Sequence, residues 1–297
     1  MSIAPLNIVW RRQVLETVLE SSFIRSVLLS KINRPQRWIA IEESDDLPMM
    51  DDLLVVSFGD PVSYFKSLKD RGYKNIGFFQ VGDERGDKGC ASYLFADYVL
   101  RNYHFPDVMA EKPDRISWVP NGWARGVGPV VNGDHLSFSE RAISTFFSGF
   151  IGQGEDKILD RIMMLKVVKD NELEALIAIT SGFGQGLGPA AYAAHMGNTR
   201  YSLTPSGRSP ETIRFYDALE LGAVPIVIDG NWLHAKDGLG VLGRPPIVIL
   251  SNWAELPMFL KSQPDLNAAE KQRLDCVKWW CKIKEHYATK VAKLING

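Results

Sequence analysis

The sequence predicts an α/β protein built on parallel sheets. Short runs rich in Val, Ile and Phe recur along its 297 residues, amphipathic stretches of helical spacing separate them, and the two patterns alternate throughout. The first series of predicted strands is 7–10, 38–42, 53–58, 75–80 and 116–120, and the second is 145–151, 175–180, 200–204, 223–228 and 246–250. Helical patterns fall at 62–71, 156–169, 190–197 and 211–221. Such alternation implies sheets covered by helices on both faces. Ten strands are many for one sheet. The Gly-rich, polar loop 126–137 divides them five and five, so the expected organisation is an N-terminal domain over 1–130 and a C-terminal domain over 131–297. The length agrees, at roughly 150 residues per domain. The last segment, 267–294, has no breaker and carries Val277, Trp280, Tyr287, Val291 and Leu294 near helical spacing. It reads as one or two long helices that close the second domain or pack back on the first.

Composition narrows the function classes. Hydrophobic residues make up 45% and charged residues 23%, the balance of a globular protein with a sizeable core. Lys and Arg total 34 against 35 Asp and Glu, so the excess of positive charge that nucleic acid recruits is missing. Cys90, Cys276 and Cys281 are too few and too scattered for a disulfide framework, and none forms a CxxC pair of the zinc-binding kind. The N-terminus lacks the basic start and apolar stretch of a signal peptide, and no window approaches the roughly 20 apolar residues of a membrane span. A reducing compartment is expected.

The densest signal lies in 192–229, YAAHMGNTRYSLTPSGRSPETIRFYDALELGAVPIVID. A strand feeds a Ser/Gly turn and then a helix, with Ser209 as the expected N-cap, Pro210 at the first helical position and Gly222 as the left-handed stop. Free backbone N–H groups and the helix dipole converge at such a turn, which makes it an anion site lined by Ser206, Gly207 and Arg208. Glu211, Arg214 and Asp217 follow at three-residue spacing along one helix face, with Thr212 beside them. That stripe reads either as a solvated face or as a pocket wall. Asp217 falls about 10 Å along the helix from its start. An arginine near a diphosphate and a carboxylate one turn further, accepting from ribose hydroxyls, suit a nucleotide-sugar pocket.

The stretch 192–260 resembles the C-terminal half of the exostosin-like glycosyltransferases. RYSLTPSGRS, RFYDAL and GAVPIVID stand in that family's order and spacing, and SNWAELPMFL is similar to its aromatic segment after the donor loop. The N-terminal stretch 77–106 is more weakly similar to acceptor-side sequence in some of these enzymes. Two departures bear on the reading: Asp217 stands where the family usually has Glu, and neither the membrane anchor nor the paired cysteines of eukaryotic relatives is expected here. A bacterial or viral protein of the cytoplasm is therefore expected.

The resemblance implies a GT-B architecture, two Rossmann-like domains facing a central cleft with the donor on the C-terminal side and the glycan acceptor on the N-terminal side. It implies an inverting transfer from a UDP-sugar with no cofactor, while the near-neutral charge leaves no nucleic acid partner expected. The departing diphosphate would be held by Arg214, Arg208 and the helix N-terminus without a metal, and the five histidines have no metal-ligand spacing. Ser148 and Gly149, ending a strand, bring backbone near the sugar-phosphate or simply pack closely. The general base is expected after the strand IGFFQV, at Asp83 or Glu84, with Glu42 and Glu43 as second candidates; the same loop also reads as solvated charge. Arg101, Asn102 and Trp123 are the expected acceptor contacts, and Phe183 and Gln185 could reach the nucleobase. Two other functions fit the architecture: a nucleotide-sugar epimerase or phosphorylase, and a carbohydrate-binding relative that has lost its base.

Overall fold

A computed structural model describes residues 4–10, 19–41, 51–111, 115–130, 133–152, 154, 158–182, 185–262 and 265–296. Glu42, Glu43 and Phe183 lie outside them. The chain forms two compact units. The first comprises Met1–Ser21, Val27–Pro120 and His286–Gly297, and the second Ser22–Ser26 and Asn121–Glu285. The chain thus passes from the first unit to the second at 120/121.

The first unit holds a six-stranded, wholly parallel sheet. Its strands are β1 (Leu6–Trp10), β2 (Gln36–Ala40), β3 (Asp52–Ser57), β4 (Ile76–Gln80), β5 (Tyr98–Arg101) and β6 (Ile116–Trp118), in the order β2-β1-β3-β4-β5-β6. β1 and β4 are buried at every residue, as strands with both faces covered must be. Helices α1 (Val62–Asp70) and α2 (Pro106–Glu111) belong to this unit, and α1 buries Phe65 and Leu68. The strand β5 is one the sequence pattern does not reveal. It has four residues, opens on Tyr98 and ends on Arg101, which leaves too short an apolar run for any period to register. Gly77 on the neighbouring β4 leaves the space that the Tyr98 ring fills.

The second unit holds a five-stranded parallel sheet of β7 (Ile143–Phe150), β8 (Leu176–Thr180), β9 (Thr199–Leu203), β10 (Val224–Ile228) and β11 (Val248–Leu250), in the order β11-β10-β9-β7-β8. Its helices are α3 (Leu159–Asp170), α4 (Pro189–Gly197), α5 (Ile213–Glu220), α6 (Asn231–His234) and α7 (Leu256–Lys261). Phe146, Met196, Ala218 and Ala223 centre its core, where α4 and α5 meet the sheet. Both sheets are of the Rossmann-like kind, and the pair defines the GT-B class of fold.

One 31-residue helix, α8 (Leu266–Asn296), closes the chain. Its residues to Glu285 belong to the second unit and those from His286 to the first. In the first unit Tyr287 is wholly buried, edge-on to Trp118 at 5.1 Å. In the second, Trp280 stacks on Phe23 at 5.8 Å. Among the described residues, no helix is long and apolar enough to cross a membrane.

Candidate active site

Strand order locates the site before any side chain is considered. In the second sheet β7 lies between β8 and β9, so successive connections leave it in opposite directions. The crevice beyond the carboxyl ends of β7 and β9 is a topological switch point, the place where open parallel sheets take ligands.

Arg214, in the first turn of α5, reaches the β7 side of that crevice. Its Nε donates to the Ser148 carbonyl at 2.8 Å, and its guanidinium lies 4.7 Å from the centre of the Phe147 ring. Gly149 makes room for it, since a Cβ there would collide with Nη2. Arg214 is 7% exposed, and among the described residues its Nη1 has no hydrogen-bond partner and no carboxylate forms an ion pair with it. Burial pulls its pKa below the usual arginine range, with Tyr192 and Asp217 acting against the shift. A cation removed from water without a counter-charge is costly unless an anion arrives. Thr212, the N-cap of α5, likewise keeps a buried Oγ1 without a partner among the described residues.

The helix starts later than the sequence suggests. It begins at Ile213 behind an extended Thr212, and Ser209, Pro210 and Glu211 precede it as loop. Ser209 does not cap the helix; its Oγ accepts the Glu211 N–H at 3.3 Å. The competing force is Asp160, in the first turn of α3. Its Oδ2 accepts both the Ser206 N–H at 2.6 Å and the Ser206 hydroxyl at 2.9 Å, while its Oδ1 accepts the Trp253 indole N–H at 2.6 Å. Arg161 donates to the Ser206 carbonyl at 3.1 Å, and a Cβ on Gly207 would stand 3.0 Å from its Nη2. Arg208 is exposed. The turn is therefore preformed, with the Ser206 donors already facing a carboxylate. Gly222 does stop the helix in the left-handed region, at φ +72°.

The acidic stripe holds backbone. Glu211 accepts the Asn121 N–H at 3.3 Å and the Tyr216 hydroxyl at 2.7 Å. Asp217 accepts the Ala124 N–H at 2.7 Å on Oδ1 and the Tyr192 hydroxyl at 3.0 Å on Oδ2. Glu220, one further turn along, accepts from Val130 N at 2.9 Å, Trp280 Nε1 at 2.7 Å and Lys284 Nζ at 2.8 Å. Three acids thus receive amides of residues 121–130. Burial pushes the Asp217 carboxyl from 3.8 up to about 7, against the Ala124 and Tyr192 hydrogen bonds and the Arg214 charge. Trp123, in the same segment, is wholly buried, edge-on to Phe23 at 4.8 Å with Lys284 Nζ 5.2 Å from its ring centre.

In the first unit, Asp83 and Arg101 are brought together as a buried ion pair of 3.0 Å at the carboxyl ends of β4 and β5. The other Asp83 oxygen accepts the N–H groups of Asp87 at 3.1 Å and Lys88 at 3.2 Å. Arg101 also donates to the Tyr93 hydroxyl at 3.2 Å, which in turn donates to Gln80. Asn102 accepts the Gly82 N–H at 3.0 Å. Glu84 is half-buried and accepts the Tyr103 hydroxyl at 3.3 Å. Tyr103 takes a left-handed conformation at φ 60°, rare for a bulky residue. Asp160, Tyr192 and Glu220 were not legible as site residues, because an acid in a first helical turn, an aromatic on a small-residue helix and an acid in a last turn all read as ordinary surface or core.

The fold and this site define a class, that of GT-B proteins, and comparison with known proteins narrows it. Residues 160–297 match the family described as the RXYLT1 C-terminal domain. Among curated proteins the chain is similar to ribitol-5-phosphate xylosyltransferase 1 of Danio rerio, a glycosyltransferase, at 22% identity over 71% of this chain and 53% of the relative. The chain thus spans about half the length of that relative. Among solved structures, the GtfA/B complex superposes with a TM-score of 0.50 at 11% identity, covering 84% of this chain and 58% of that one. The UDP-GlcNAc 2-epimerase of Methanocaldococcus jannaschii gives 0.47 at 12% identity, covering 88% and 92%.

Proposed function

We propose that the chain is an inverting, metal-independent glycosyltransferase that moves a sugar from a UDP-sugar to a hydroxyl of a glycan acceptor. The observation that carries this reading is Arg214, a buried guanidinium with an unfilled donor at the β7/β9 switch point. It supplies the positive charge that a departing diphosphate needs, in a dry setting where that charge acts strongly. The acceptor oxygen would attack the anomeric carbon from the face opposite the diphosphate, whose oxygens then meet Arg214, Thr212 and the turn at Ser206 and Gly207. Binding there requires Asp160 to yield the Ser206 donors, and the expected ribose contact of Asp217 requires Tyr192 to release Oδ2. The attacking hydroxyl also needs a proton acceptor. Asp83 has both oxygens engaged and Glu84 has one. The name of the zebrafish relative suggests xylose as the sugar and a phosphorylated polyol as part of the acceptor, and the exostosin-like motifs support UDP as the carrier.

The test is UDP release from a panel of UDP-sugars that includes UDP-xylose, with and without ribitol 5-phosphate and glycan acceptors, each with and without EDTA. The expected result is acceptor-dependent release that survives the chelator and gives a product of opposite anomeric configuration by NMR. Binding of UDP with no turnover for any donor would overturn the transferase in favour of a binding protein.

A further inference from the structure

A proton acceptor also stands on the donor unit itself. Asp229 directly follows β10, and its Oδ1 lies 2.7 Å from His234 Nε2. The same oxygen accepts the Gly230 N–H at 2.9 Å, which fixes the carboxylate. The His234 hydrogen bond, aided by Gly230 and the charge of Arg244, holds the Asp229 carboxyl below its usual range, so it stays an anion and an acceptor. With Nε2–H donating to that carboxylate, Nδ1 is the ring nitrogen left to accept a proton. The histidine side chain is 45% exposed and that of Asp229 55%, so the pair opens to solvent.

Its position is set by rigid parts. His234 ends α6, whose Trp232 is buried edge-on to Phe215 at 5.2 Å, and Phe215 adjoins Arg214 on α5. β10 is the second strand from β7 across the sheet, a lateral step of about 10 Å at normal strand spacing. A sugar diphosphate with its phosphates at Arg214 would reach the pair if its sugar were directed toward β10 across that step.

We propose that His234, oriented by Asp229, is the general base of the transfer; this rests on the donor reading above. His234 Nδ1 would take the proton of the acceptor hydroxyl as its oxygen forms the bond to the anomeric carbon. The bond from that carbon to the diphosphate oxygen breaks, and its electron pair leaves with the diphosphate. The imidazolium is stabilised by Asp229 and passes its proton to water, so atoms and charge balance without a co-reactant.

The experiment uses UDP-xylose with ribitol 5-phosphate, or whichever donor and acceptor pair the panel above selects. For His234→Ala, kcat should fall 10²- to 10⁴-fold while the Kd for UDP stays within about twofold. Added imidazole should restore at least tenfold of the lost rate, which repair of a merely structural defect would not do. Asp229→Asn should lower kcat in the same direction with a smaller loss. An unchanged kcat in His234→Ala overturns the proposal, as does a loss confined to donor affinity, or one that imidazole leaves untouched. If the wild type neither binds UDP nor turns over any donor, the transfer reading falls and the base falls with it; a wild type and His234→Ala of equal activity refute the base alone.

Discussion

Arg214 carries a desolvation cost that a bound anion would offset. Replacing it with Met removes the buried charge while keeping the stem, so Arg214→Met should hold or raise the melting temperature yet weaken UDP binding at least tenfold, read by thermal melts and calorimetric titration. Gly149→Ala tests the same seat from the strand side: its methyl displaces the guanidinium, and UDP affinity should fall similarly with Arg214 still present. Asp217 gives a pH signature. Its folded-state pKa, about 7, lies above the unfolded value of 3.8, so the folded chain holds an extra proton in that window and loses stability as pH rises through it. Asn at this position can still accept from Ala124 and contact Tyr192 without ionising. The melting-temperature advantage of Asp217→Asn over wild type should therefore widen from pH 4 to pH 7, and parallel curves would refute the assignment. Helix spacing singled out Arg214, and a strand end singled out Ser148 and Gly149; that Arg214 donates to the Ser148 carbonyl over Gly149 was decided by the fold. That the acids beside it accept backbone amides was not, because a stripe at three-residue spacing looks the same whether it faces a ligand or a loop.

At the scale of the element, α5 works on two sides. Arg214 turns to β7, whereas Glu211, Asp217 and Glu220 receive amides of 121–130. Glu220 carries the heaviest load, since Trp280 and the Lys284 ammonium converge on its Oε2. Glu220→Ala strands the buried Trp280 indole N–H and the partly buried Lys284 ammonium, and should cost about 3 kcal/mol or more of unfolding free energy by urea titration. Lys284→Met, which removes a partly exposed partner and leaves Trp280 bonded, should cost less. The start of α5 shows how tertiary contacts override local signals. Ser-Pro followed by acid is a good helix opening, yet Asp160 holds Ser206 in the turn and postpones the helix to Ile213. Nothing within five residues of Ser206 in the sequence announces that partner.

Across the whole molecule, two parallel sheets each have a core of their own, and α8 supplies side chains to both units. Tyr287 fills space beside Trp118 in the first unit, so Tyr287→Ala should cost about 3–5 kcal/mol. In hydrogen exchange, the loss of protection should appear in β3 to β6 and spare β7 to β11. Equal loss in both sheets would show that the two cores do not unfold separately. Ten of the eleven strands among the described residues, the long final helix and the α/β class were determined by the sequence itself, because buried parallel strands must be continuous apolar runs and amphipathic helices must repeat every 3.6 residues. The strand order, the switch points, the ion pair of Asp83 with Arg101 and the anchoring of Ser206 by Asp160 were decided only in three dimensions. The ion pair and the Asp160 anchor join residues 18 and 46 positions apart, and local periodicity carries no record of which distant groups will meet once water is excluded.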